Sequence, residues 1–102
     1  MKINFYDELV KALSEHGKTL DDVIWIGTRK NQFVTSKFLQ WAKSFYYDNG
    51  YGMPCIPMSW CIVGDNWWLE RYEYDGSEWW EFKQFPKRPL FVAEDFLNVE
   101  DE

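Results

Sequence analysis

The sequence is poor in the residues from which most enzyme chemistry starts. It holds two cysteines, Cys55 and Cys61, and one histidine, His16, in 102 residues. Two cysteines are too few for a disulfide framework, and their spacing with one distant histidine matches no zinc-ligand pattern. A Ser–His or Cys–His nucleophile pair would have to recruit His16, which sits where a helix should end. No Gly-rich phosphate loop, nucleophile elbow or H-E-x-x-H occurs. No window approaches the ~18 consecutive apolar residues of a membrane span, and the opening MKINFYDELV has no apolar core of a secretion signal. Bases are scarce too, with 11 Lys and Arg against 17 Asp and Glu, a net charge of −6 and a pI near 4.7. Phosphate contact needs clustered Lys and Arg, so direct binding to nucleic acid or to an anionic membrane is not expected. The chain therefore reads as a non-catalytic protein without metal or cofactor, in a reducing, cytoplasmic compartment. Its acidity favours a partner that is itself basic.

Aromatic residues are what the chain has in excess: seven Trp, six Tyr and eight Phe. Each buried aromatic removes on the order of 150–250 Å² from water. A single domain of this size cannot hide them all, and the surplus points to a binding face. Four of the Trp and six of the acids fall in Gly64–Phe82, GDNWWLERYEYDGSEWWEF, beside one base, Arg71. Residues Glu94 to Glu102 form a second acidic block, and the rest of the chain is mildly basic.

The order of elements predicts one α+β domain over residues 1–102, with an acidic, frayed tail from about 94 to 102. Asn4 can cap a first helix whose stripe is Tyr6, Leu9, Val10 and Leu13, stopped at Gly17. Thr19–Asp22 turns the chain into a short strand, Val23–Ile26. The polar run Thr28–Gln32 leads to a second helix starting at Thr35 or Ser36, with Phe38, Leu39, Ala42, Phe45 and Tyr46 facing inward. Pro54 and Pro57 keep the next stretch extended. Trp60–Val63, Trp67–Tyr74 and Ser77–Phe85 follow as strands, and Leu90–Val99 is a candidate docking strand or helix. The expected fold is two helices on a small antiparallel sheet, a three-stranded meander with Val23–Ile26 as a candidate fourth strand.

Asp75-Gly76 is the strongest hairpin signal in the chain. A two-residue turn pairs Tyr74 with Ser77, Tyr72 with Trp79 and Leu69 with Phe82. One face then carries Trp67, Leu69, Arg71, Trp80 and Phe82, the better core. The other carries Trp68, Glu70, Tyr72, Tyr74, Trp79 and Glu81, the expected partner-binding residues. The weak point is Glu73 opposite Glu78, which should repel unless both lie at the wet end of the hairpin. A bulged three-residue loop would relieve that clash but set Glu70 against Phe82. The two-residue turn is favoured, although register is not decided by sequence alone.

Three other uses of this face compete with protein binding. Glycosidases set paired carboxylates about 5–9 Å apart beside aromatic rings, a separation that cross-strand Glu70 and Glu81 could reach. Solvation of an open strand face accounts for the same glutamates more simply. The alternative function is a small-molecule or carbohydrate-binding module that stacks its ligand on Trp68, Tyr72 and Trp79. Pairing of two copies would also explain exposed aromatics. Protein binding ranks first, because Trp, Tyr and Arg dominate interface energetics and aromatic rings accept stacked guanidinium groups.

The run GDNWWLERYEYDGSEWWEFK, preceded by the Tyr47–Gly52 turn, resembles a family of small acidic proteins encoded by bacteriophages and prophages of Gram-positive bacteria. The resemblance covers Asp22 to Lys83 and brings no catalytic residues. It implies a phage accessory protein in the cytoplasm of a bacterial host. Such a protein would bind a host protein with a basic surface, a nucleic-acid-handling or defence effector, as an anti-CRISPR or other anti-defence inhibitor.

Overall fold

The computed structural model describes residues 1–100. In chain order the elements are β1 (Ile3–Asn4), α1 (Phe5–Ser14), β2 (Val23–Gly27), α2 (Thr35–Ser44), β3 (Tyr46–Tyr47), β4 (Cys61–Gly64), β5 (Trp67–Tyr74) and β6 (Ser77–Gln84). The class is α+β, as the sequence implied. The main sheet is antiparallel with four strands in the order β2-β4-β5-β6: the three strands of the meander are joined by β2, the candidate fourth strand. A second, two-stranded sheet pairs β1 with β3, which the sequence reading did not foresee.

Local chemistry accounts for the first helix. Asn4 Oδ1 accepts the Asp7 N–H at 3.0 Å, satisfying one of the free donors at the helix start. The chain leaves the helix through Gly17 at φ 70°, a left-handed conformation that glycine adopts without steric cost. The buried face, however, is Phe5, Leu9 and Leu13, spaced by four residues. Tyr6 is only half-buried and Val10 is exposed, so the apolar stripe is turned from the expected one. The reason is tertiary. Phe5 lies at the centre of an aromatic cluster, with ring centroids 5.6 Å from Trp41, 5.7 Å from Trp80, 6.0 Å from Phe38 and Tyr47, and 6.2 Å from Trp60.

The second helix begins at Thr35, as expected, and buries Phe38 and Ala42. Tyr46 is exposed and Tyr47 buried, because the chain has already passed into β3, where side chains alternate. His16 lies beyond the end of α1 and stacks on Phe82, ring centroids 4.0 Å apart. That contact ties the helix exit to the sheet.

The hairpin adopts the two-residue turn. Asp75 and Gly76 both have positive φ, 50° and 86°, as a type I′ turn requires. Tyr74 pairs with Ser77, Tyr72 with Trp79 and Leu69 with Phe82. The inner face of the sheet packs Ile26, Ile62, Trp67, Leu69 and Trp80 against the helices. At Gly64 there is no room for a side chain, since a Cβ would run into the Trp67 indole. Leu90–Val99 forms neither a docked strand nor a docked helix. Its one regular feature is a single 3₁₀ turn at Phe96–Asn98, and its large apolar side chains stand exposed. Of the acidic tail, residues 101 and 102 lie outside the described residues.

Candidate functional site: the outer face of the sheet

Both faces of the hairpin are built by one alternation. From Trp67 to Arg71 the odd-numbered residues of β5 are buried, while Trp68 and Glu70 are half-buried. Toward the turn the outer face opens further. Tyr72 is 50% exposed and Tyr74 72% exposed. On β6, Trp79 and Glu81 are half-buried, alternating with the buried Glu78 and Trp80. All six expected partner-binding residues, Trp68, Glu70, Tyr72, Tyr74, Trp79 and Glu81, thus share one face.

Cross-strand pairing sets their arrangement. Glu70 is directly opposite Glu81, and Tyr72 opposite Trp79. Two like charges facing each other should repel. Each is compensated along its own strand: Trp68 Nε1 donates to Glu70 at 3.1 Å, and Trp79 Nε1 donates to Glu81 at 2.7 Å. The indoles therefore fix the carboxylates, and the carboxylates fix the indoles. The rings do not form one flat platform. Tyr72 and Trp79 meet at 5.3 Å with a 47° tilt, and Trp68 meets Phe85 at 5.3 Å with a 59° tilt.

The inner face holds a charged network that the sequence reading misplaced. Glu78 is buried, not at the wet end; it does stand opposite the exposed Glu73, but its charge is met by Arg71. Its carboxylate accepts Arg71 Nη2 at 2.8 Å and the backbone N–H groups of Cys55 at 2.6 Å and Ile56 at 3.1 Å. Those two residues lie between Pro54 and Pro57, which have no N–H to give. Arg71 Nη2 also donates to the Tyr47 hydroxyl at 2.9 Å, and Tyr47 donates to Glu8 at 2.5 Å. The guanidinium lies 4.8 Å from the Trp80 ring centroid, a cation–π contact. A lone arginine on a core face signals that carboxylates must come to it, but the sequence does not say from where.

Burial pushes the Glu8 carboxyl above its ordinary value of 4.5, against the opposing pull of the Tyr47 hydroxyl and Arg71. Its contribution to stability is therefore fully present below about pH 4.5 and is lost as pH rises through the raised value. Glu8→Gln keeps an acceptor for Tyr47 and leaves Arg71 with Glu78. It is expected to equal or exceed the wild type in stability at pH 7, by up to about 1 kcal/mol, and to flatten stability between pH 4 and pH 7. Urea unfolding at the two pH values measures this. A variant weakened by more than about 2 kcal/mol at pH 7 would show that pairing with Arg71 outweighs desolvation.

Beside Trp68 the outer face sinks into a groove of about 830 Å³. Cys61, Val63, Trp68 and Glu70 lie along it on the strands, Thr28–Asn31 and Met58–Trp60 line it from the loops, and Phe85 contributes from the end of β6. Burial pushes the Cys61 thiol up, and the thiol donates to the Gly27 carbonyl at 3.3 Å, so it is not poised as a nucleophile. By sequence Arg29 and Lys30 are simply part of the polar run Thr28–Gln32. Their place against an aromatic floor depends on β2 pairing with β4, which brings Gly27 beside Cys61. Among the described residues, no three His, Cys, Asp or Glu side chains are grouped to hold a metal ion, and no helix is long and apolar enough to cross a membrane.

No protein family, no curated protein and no solved structure matches this chain. What the fold defines is an α+β domain that presents an acid-flanked aromatic sheet face.

Proposed function

We propose that the chain is a non-catalytic protein-binding module that engages its partner through the outer face of β5 and β6. The observation that carries this reading is the contrast between the two faces of one hairpin. The inner face is sealed, while Tyr72 and Tyr74 stand exposed beside Trp79, with Glu70 and Glu81 held in the next row. Fixed aromatics with restrained carboxylates bind at low ordering cost, because few rotamers remain to be lost. The matching partner surface is basic and rich in arginine, whose guanidinium can stack on the rings and pair with the carboxylates. A host protein that handles nucleic acid has such a surface, which accords with a phage anti-CRISPR or other anti-defence inhibitor.

Sugar binding on Trp68, Tyr72 and Trp79 draws less support. A pyranose ring stacks on a flat platform, whereas these rings are tilted and their indole N–H groups are already engaged.

The test is quantitative capture from bacterial host lysate by the immobilised chain, followed by affinity measurement with the recovered partner. Tyr72→Ala and Trp79→Ala are each expected to weaken binding about 30-fold, the effect of an interface hot spot. Raising salt should weaken it further through the carboxylates. Binding unchanged in both variants would overturn this reading. A lack of any protein partner, together with Trp fluorescence quenched by a saccharide, would turn it toward sugar recognition.

A further inference from the structure

The C-terminal segment and the groove beside Trp68 are both left open in a single copy. Leu90, Phe91 and Val92 are more than 90% exposed, and Phe96 and Leu97 more than 75%. So many large apolar side chains in ten residues are an interaction surface rather than the scattered exposure of an ordinary protein surface. Glu94 and Asp95 lie between the two apolar clusters. The groove is complementary. Its lining is aromatic and aliphatic through Met58, Trp60, Val63, Trp68 and Phe85, Arg29 and Lys30 stand at its loop side, and its one acid, Glu70, is held by Trp68 Nε1. Both bases are exposed, and neither is in an ion pair among the described residues.

We propose that the segment Leu90–Val99 of one copy docks in the groove of a second copy, its apolar side chains on the aromatic lining and its Glu94–Asp95 pair against Arg29 and Lys30.

The connection between the two features favours exchange between copies over closure within one. The last residue to line the groove is Phe85, and Pro86-Lys87-Arg88-Pro89 follows it directly. A polyproline-like stretch advances about 3.1 Å per residue, so these four residues carry Leu90 on the order of 12 Å from the groove's end. Two prolines in four residues also resist the tight reversal that docking in the same copy needs. The segment's large apolar side chains are uncovered, and the chain as a whole is extended. The radius of gyration is 16.9 Å, against about 13 Å for a compact chain of this length, and the long axis is 54 Å. Reciprocal exchange of tails makes a twofold dimer in which each contact occurs twice. Trp68 and Glu70 line the groove and would be shared with the docked tail, whereas Tyr72, Tyr74, Trp79 and Glu81 do not line it. Those four stay free for a partner, so this inference goes beyond the partner-binding reading.

Sedimentation of the full chain from low to high micromolar concentration tests the proposal. A monomer–dimer equilibrium is expected. Phe91→Ser with Phe96→Ser, or Arg29→Glu with Lys30→Glu, should weaken it at least tenfold. All four sites are exposed, and circular dichroism should confirm an unchanged fold. Combining Arg29→Glu and Lys30→Glu with Glu94→Lys and Asp95→Lys should restore dimerisation toward the wild-type level. A chain that stays monomeric throughout would overturn the proposal, as would a dimer indifferent to the tail substitutions. A monomer whose Trp emission shifts on tail substitution would overturn it in favour of docking within one copy. Tyr72→Ala and Trp79→Ala should leave the dimer unchanged, so failure here and failure of partner binding are read separately.

Discussion

Replacing Glu78 with alanine is expected to destabilise the fold by about 3–5 kcal/mol, the range seen when one member of a buried ion pair is removed. Three donors lose this carboxylate together: the N–H groups of Cys55 and Ile56, and Arg71 Nη2, which keeps only the neutral Tyr47 hydroxyl. Arg71 is left with Glu8, whose carboxylate is more distant at 3.4 Å. Its Nε has no partner even in the intact network, so the guanidinium has little to fall back on. Loss of the two backbone bonds also frees the Pro54–Pro57 segment, and with it Ile56, which is buried in the core. Glu78→Gln retains one carbonyl acceptor and should cost roughly half as much. Urea denaturation of the variants against wild type decides the matter. An alanine variant within about 1 kcal/mol of wild type would mean that water replaces the carboxylate at little cost.

Phe5→Ala is the second large effect, about 3–5 kcal/mol for deleting a fully buried phenyl ring. Total stability of a domain is about 5–15 kcal/mol, so this one change approaches unfolding at body temperature. Phe5 is fully buried, and its ring touches side chains from α2, β3, β6 and the Met58–Trp60 stretch. Its backbone N–H also bonds to the Phe45 carbonyl at 2.9 Å, but that bond survives the substitution. Phe5→Leu fills part of the cavity and should cost about 1–2 kcal/mol. The near-ultraviolet circular dichroism of Phe5→Ala should fall with the loss of fixed packing around Trp41, Trp60 and Trp80. If the urea midpoint and this signal are both unchanged, the cluster repacks and Phe5 is not its centre.

These two residues show where the sequence stopped being informative. The hairpin was legible because its determinants are local. Asp75-Gly76 tolerates two positive φ angles, and strict alternation on either side assigns each residue to a face. The six outer-face residues follow from that register alone. Glu78 could not be placed in the same way. It belongs to the inner face by alternation, yet a glutamate there looks like a defect until Arg71 and two amides between prolines are brought to it. Phe5 was missed for a related reason. At the first position of α1 it reads as a flank to the stripe, and only the packing of α2 and β6 around it turns the helix so that Phe5 faces inward.

By itself the sequence determined the α+β class, the first helix's cap and stop and a hairpin at Asp75-Gly76, and it favoured, without deciding, the two-residue register that sets which residues share the outer face. Each of these depends on contacts a few residues apart or on a period of two. The tertiary structure alone decided that β2 completes a fourth strand and that Glu8, Tyr47, Arg71 and Glu78 form one buried network. It also decided that Arg29 and Lys30 stand over an aromatic groove and that the tail's apolar residues remain uncovered. The strand pairing, the groove and most of the network depend on groups more than 20 residues apart meeting in space, and no local pattern encodes which ones meet.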